Sequence, residues 1–168
     1  LSAINYSLDS RFLHAHLFSS PFNAQLIERS WDGGLEKTQG DYLQIVNAKL
    51  GGTKANYYVK NSMYYKVTSK TRDGLLRGER TLVYTHTGDD ESWPGGAYTN
   101  YVRVLTQKGT KLTGAKIIYD QTLEEEMLGD VIISEVDPYA SYETSFVLKP
   151  GSTVELVVSY DLPQMLSI

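Results

Sequence analysis

The chain has 168 residues, with 16 Lys and Arg against 20 Asp and Glu, a formal net charge of −4 and no cysteine. That length supports one domain with a single sizeable core, and 41% hydrophobic with 21% charged residues marks a globular chain. Sparse, scattered cations exclude a nucleic-acid backbone footprint. The lack of cysteine excludes disulfides and thiolate metal sites, and no apolar run is long enough to insert this segment into a bilayer.

No signal peptide is visible in residues 1–18, which lack a basic start and an uninterrupted apolar stretch. In residues 9–18, Phe12, His14, His16 and Phe18 share one parity, and Leu13, Ala15 and Leu17 the other. This favours a short strand or a helix end. Ser20-Pro21 then starts a helix, with Ser as cap and Pro in the first turn, where its missing N–H costs nothing. Phe22, Leu26 and Ile27 recur at helical spacing along its expected buried side. The helix is expected to end near Ser30, before a turn at Trp31-Asp32-Gly33-Gly34. Residues 1–40 thus read as a lead-in segment with one short helix, packed on the β-rich remainder of the chain.

From Asp41 the period changes to two. Strands are expected at 42–50, 57–68, 76–87, 98–106 and 111–119, with turns at Gly51-Gly52, Asp73-Gly74 and Lys108-Gly109 and a polar loop over 88–97. Tyr57, Val59, Met63, Tyr65 and Val67 share one side of their strand, opposite Lys60, Ser62, Lys66 and Thr68. Val59, Val83, Val102 and Val157 are expected to point into the dry space between two layers. Residues 122–127 and 130–136 read as a hairpin around Gly129. Asp137-Pro138 leads into 142–148, and Pro150-Gly151 into 153–160. Short strands at this spacing, with no helices between them, predict a mostly β fold: an antiparallel β-sandwich, immunoglobulin-like in general architecture, over 41–163. Residues 164–168 read as a tail, and the whole chain as a segment of a longer protein.

Several motifs occur in a fixed order: Trp31-Asp32-Gly33, Lys54-Ala55-Asn56-Tyr57-Tyr58-Val59, Trp93-Pro94-Gly95-Gly96 with Tyr98 and Tyr101-Val102-Arg103, then Pro150-Gly151 and Tyr160-Asp161-Leu162-Pro163. This ordered set resembles the C-terminal part of a bacterial family, domain of unknown function 4012, along nearly the whole segment. The resemblance implies a membrane-anchored envelope protein with its bulk outside the cell, held by a transmembrane helix absent from this segment. It also implies a link with surface polysaccharide, and it carries no catalytic residue over. Relatives often have Asn where this chain has Lys49.

The chemistry-bearing residues are few. His14 and His16 fall on one side of the expected strand and could pair on a metal; His86 has no motif tying it to them. Asp89, Asp90 and Glu91 lie in the longest loop, where clustered carboxylates can hold calcium, although the spacing is not that of an EF-hand; a solvated acidic loop is the plainer use. Glu124-Glu125-Glu126 alternates faces, so it suits a charged strand edge better than a glycosidase acid pair. Nucleophile elbows, zinc-protease motifs and phosphate loops are missing. The glycines of Trp93-Pro94-Gly95-Gly96 are expected to permit positive φ while Trp93 packs the loop onto the sandwich end. Trp31, Trp93, Tyr98 and Tyr101 could form an aromatic platform for sugar rings, or else serve as core and cross-strand pairs. Lys54, Lys60, Asn61 and Asn100 are nominal candidates for a Lys–Asn isopeptide bond. The expected function is an extracytoplasmic structural or interaction module without catalysis, its partner a surface polysaccharide or another envelope protein. A carbohydrate-binding module is the first alternative, and part of a polysaccharide-processing enzyme the second.

Overall fold

The computed structural model describes residues 2–10, 12–18, 21–35, 38, 40–69, 74–89, 91–136 and 138–163. Ser20, Asp73, Asp90, Asp137 and 164–168, read above as a helix cap, two turns, a loop carboxylate and a tail, lie outside them. The chain divides into two compact units, Leu1–Thr38 and Gln39–Ile168.

The first unit holds two short helices, α1 (Ser2–Asp9) and α2 (Asn23–Glu28). α1 carries no acid in its first turn and no base in its last, so no capping signal announces it; Leu8 is its one buried residue. Its C-terminus closes through Ser10 N–H to Tyr6 O and Phe12 N–H to Ser7 O. The strand expected over 9–18 does not form. Described residues beyond Asp9 run irregularly, with Ala15 N–H donating to Trp31 O at 2.9 Å and Leu17 N–H to Asn23 Oδ1. α2 is capped at Phe22 with no side-chain hydrogen bond. Its apolar residues are not buried as expected, since Phe22 and Ile27 are exposed and Leu26 is half-buried. It ends in a Schellman motif: Trp31 N–H reaches Leu26 O, Ser30 N–H reaches Ile27 O, and Ser30 takes the left-handed position (φ 55°) that glycine usually fills.

The second unit is the sandwich. Its strands are β1 (Leu43–Leu50), β2 (Val59–Ser69), β3 (Leu76–His86), β4 (Tyr98–Gln107), β5 (Lys111–Tyr119), β6 (Leu123–Glu126), β7 (Ile132–Val136), β8 (Tyr139–Leu148) and β9 (Thr153–Asp161). A four-stranded sheet runs β1-β4-β8-β7 and a five-stranded sheet β2-β3-β9-β5-β6, every described pair antiparallel. Between them lie Leu82, Tyr84, Val102, Val104, Ile117, Tyr142, Phe146, Leu148, Val154, Leu156, Val158 and Tyr160. Alternation places Val102 inward and leaves Val59 packed at the core margin. Val83 and Val157 correct the reading: they pair with Glu155 and Thr81 on the outer face and are half-buried there, while Leu82, Tyr84, Leu156 and Val158 point in.

Three further differences have physical causes. Tyr57 and Tyr58 belong to a 3-10 turn, Ala55–Tyr58, that carries the chain from one sheet to the other before β2 begins. β6 and β7 do not form a hairpin; they lie in different sheets, so the connection around Gly129 crosses the open side of the sandwich. In β5 the register shifts between Leu112 and Gly114, a bulge that flips parity. Leu112 packs on the core before it, and Ala115 and Ile117 are buried after it.

Candidate functional site

The motifs that begin at Lys54 and Trp93, distant in sequence, meet at one end of the sandwich. β3 ends there at His86, which is fully buried. Its Nδ1 accepts from the Gly88 amide at 3.1 Å, which leaves Nε2 as the donor to Gly96 O at 3.1 Å. The ring lies parallel to Tyr58 at a centroid distance of 6.0 Å. Thr87 donates to Tyr58 O through both its amide and its hydroxyl, and Lys54 N–H donates to Pro94 O at 2.8 Å. The 3-10 turn and the loop 88–97 are therefore bonded to each other and to the strand end. Gly96, at φ 87°, turns the loop back into β4, and the Trp93-Pro94 peptide is cis.

Between these segments opens a cleft of about 360 Å³, lined by Lys54, Asn56, Tyr57, Tyr58 and Pro94, with a smaller hollow beside it at Gly88, Asp89, Ser92 and Gly95. Tyr57 is 85% exposed and Trp93 73%. Trp93 therefore does not pack the loop onto the sandwich. Of the expected platform, Tyr98 stands in the core at 5% exposure. Tyr101 lies on the outer face of the four-stranded sheet, its hydroxyl donated to Glu143. Trp31 belongs to the first unit, where its indole N–H donates to Asp9 and Arg29 lies over its ring. Tyr57 is the aromatic that sequence reasoning missed; its place in a Tyr-Tyr pair at the head of an expected strand concealed it.

Other candidates disperse. Asp89 and Glu91 are exposed, and among the described residues no three His, Asp or Glu side chains converge. His14 and His16 are exposed on irregular backbone, so the shared strand face that paired them is gone. Lys60 and Asn61 point to opposite faces of β2, and Asn100 is buried with its amide donated to Asn47, which also accepts from Tyr84. Lys49 binds Gly51 O and Thr53 O, so its ammonium closes the turn between β1 and the 3-10 segment.

Two buried charges lie elsewhere. Glu143 on β8 accepts from Ser134 (2.6 Å), Ser141 (2.9 Å), Tyr101 and Arg103 (3.2 Å). Burial alone would raise its pKa; the three hydroxyls and the Arg103 charge outweigh it and hold the carboxyl at about 2. A carboxylate so saturated is a poor proton donor or base at neutral pH. Arg80, 1% exposed on the inward row of β3, lies 3.2 Å under the Tyr65 ring, with Tyr160 Oη at 3.5 Å. Tyr65 in turn donates to Asp41, and burial, with that bond, pushes its hydroxyl pKa up.

No family model matches the chain, and neither do the curated proteins or the solved structures compared with it.

Proposed function

We propose that this chain is a non-catalytic interaction module, displayed outside the cell by a bacterial envelope protein, and that it makes contact through the loop end of the sandwich. One observation carries the reading. Tyr57 and Trp93 stand in solvent on two segments that are bonded to each other and anchored on a buried histidine. Large aromatics held rigidly in water serve contact better than stability. The buried Glu143 carboxylate is locked by four donors, which favours binding over acid–base chemistry. The resemblance to domain of unknown function 4012 supports the envelope location and the membrane-anchored parent.

A sugar chain is the ligand class that the cleft favours. Its wall is aromatic, and Asn56 and Lys54 supply polar groups for hydroxyls beside it. The test is binding of purified chain to a panel of surface polysaccharides and cell-wall fragments, compared with Tyr57→Ala and Trp93→Ala. The expected result is binding that each substitution weakens about tenfold, which corresponds to about 1.4 kcal/mol. Binding indifferent to both substitutions, or no binding to any polysaccharide, refutes the sugar reading. In the second case, capture of a defined envelope protein that depends on Trp93 would keep the contact surface and change its ligand.

A further inference from the structure

The sandwich is stepped along one side. β1 is the edge of the four-stranded sheet and β2 the edge of the five-stranded sheet, and the two border the same groove. β1 lies over β3, since Tyr84 of β3 donates across the gap to Asn47 of β1 at 2.7 Å. Along β2 only Val59 is half-buried, and the ten residues after it are exposed. Its inward row contains Met63, Tyr65 and Val67, yet all three are exposed, Met63 by 50%. The groove beneath, about 360 Å³, is lined by Leu43, Ile45, Met63 and Leu82 among others. Core-type side chains and two strand edges with no further strand paired to them among the described residues thus share one open flank.

We infer that this step is the interface between two copies of the chain. The step is self-complementary. Each copy has one strand too many in one layer and one too few in the other, so a copy turned over about an axis parallel to the strands fills both deficits together. The overhanging β2 of each copy then pairs with the outer edge of the other's β1. β1 runs toward the loop end and β2 away from it, because the 3-10 turn joins them there, so this pairing is antiparallel. The two β2 strands come face to face, and Met63, Tyr65 and Val67 of each cover those of the other.

Charge permits the arrangement. β1 carries a single ionic side chain, Lys49, whose ammonium is already held by Gly51 O and Thr53 O. Lys60 and Lys66 of β2 project outward, beside the uncharged row Gln44, Val46, Ala48 and Leu50. The extent also fits: β1 has 8 residues and β2 has 11, close to the roughly 20–30 per side of a stable interface. The symmetry is closed, so assembly stops at two. The inference is independent of what the loop end binds.

Sedimentation equilibrium of the intact chain tests it. The expected result is a dimer with a Kd near ~1–10 μM. Met63→Glu is expected to raise that Kd at least about tenfold, because it places a charge between the facing β2 strands. Leu123→Glu, on the opposite edge at β6, leaves the Kd unchanged. Circular dichroism checks that both variants fold, and Met63 is half exposed, so its replacement spares the core. A monomer at about 100 μM, a Met63→Glu dimer as tight as wild type, or species that grow beyond two copies overturns the inference. So does a monomer whose β1 and β2 amides gain exchange protection only when envelope extract is added, an outcome that assigns the groove to a foreign strand.

Discussion

Replacing Glu143 with Gln keeps the shape of the side chain and removes its charge. In the folded chain four donors converge on that carboxylate and hold its pKa at about 2, against an ordinary value of 4.5. The folded form therefore prefers the ionised state more than the unfolded form does. The resulting stability is fully present above about pH 4.5 and is lost as the pH falls toward 2. At about 1.36 kcal/mol per pH unit, the gap amounts to about 3 kcal/mol at pH 7 and, by the same linkage, about 1.4 kcal/mol at pH 3. The side chain is only 8% exposed, so solvent screens little of this. The amide of Glu143→Gln also turns a donor toward Ser134, Ser141, Tyr101 or Arg103. Urea unfolding of wild type and variant at pH 7, 5 and 3 is the assay. The expected result is a difference of about 3 kcal/mol at pH 7, equivalent to about 6–12 °C in Tm for a chain of this size, that shrinks by half or more at pH 3. Other carboxylates titrate in both proteins and cancel. A difference that is the same at all three pH values, or absent at pH 7, shows that these donors do not hold the carboxylate and refutes the reasoning.

His86→Phe keeps a ring against Tyr58 but leaves Gly96 O and the Gly88 amide without their partner. It is expected to cost about 1–3 kcal/mol in unfolding free energy and to raise amide exchange across 88–97; unchanged exchange there counts against the histidine as the anchor of the loop end. At Gly78 an added Cβ meets the Tyr160 ring at 2.9 Å and the Tyr65 ring at 3.1 Å. Gly78→Ala is expected to destabilise by about 1–3 kcal/mol in thermal melts, because Tyr160 is fully buried and has nowhere to retreat. A neutral result there means the Tyr65–Arg80–Tyr160 stack is loosely packed.

Strand positions were legible where alternation was clean and the turns carried glycine. β5 begins and ends where the pattern predicts, and β3, β4 and β9 do so within a residue. Facing was less legible where both parities are apolar. In Leu82-Val83-Tyr84 and Leu156-Val157-Val158 nothing local says which valine is outside, and the opposite sheet decides. The partner of β6 was hidden for a similar reason. Short loops favour a hairpin, but β6 had already paired with β5, and the next strand was needed on the other layer. α1 lacks capping charges, so its eight residues gave no signal. At the site, Trp93 was found because it sits in a loop. Tyr57 and Tyr98 carry the same side chain with opposite fates, which depend on the 3-10 turn that lifts one out and the sheet that swallows the other.

The bulge in β5 has a practical corollary for anyone who transplants or trims this strand. Thr113 is the single extra link that lets Leu112 and Ala115 look the same way across an odd spacing. Deleting it would leave the facing intact, with Gly114 outward and Ala115 inward, whereas forcing the strand straight with Thr113 kept would turn its second half over like a page, putting Ile117 in solvent and Lys116 in the oil.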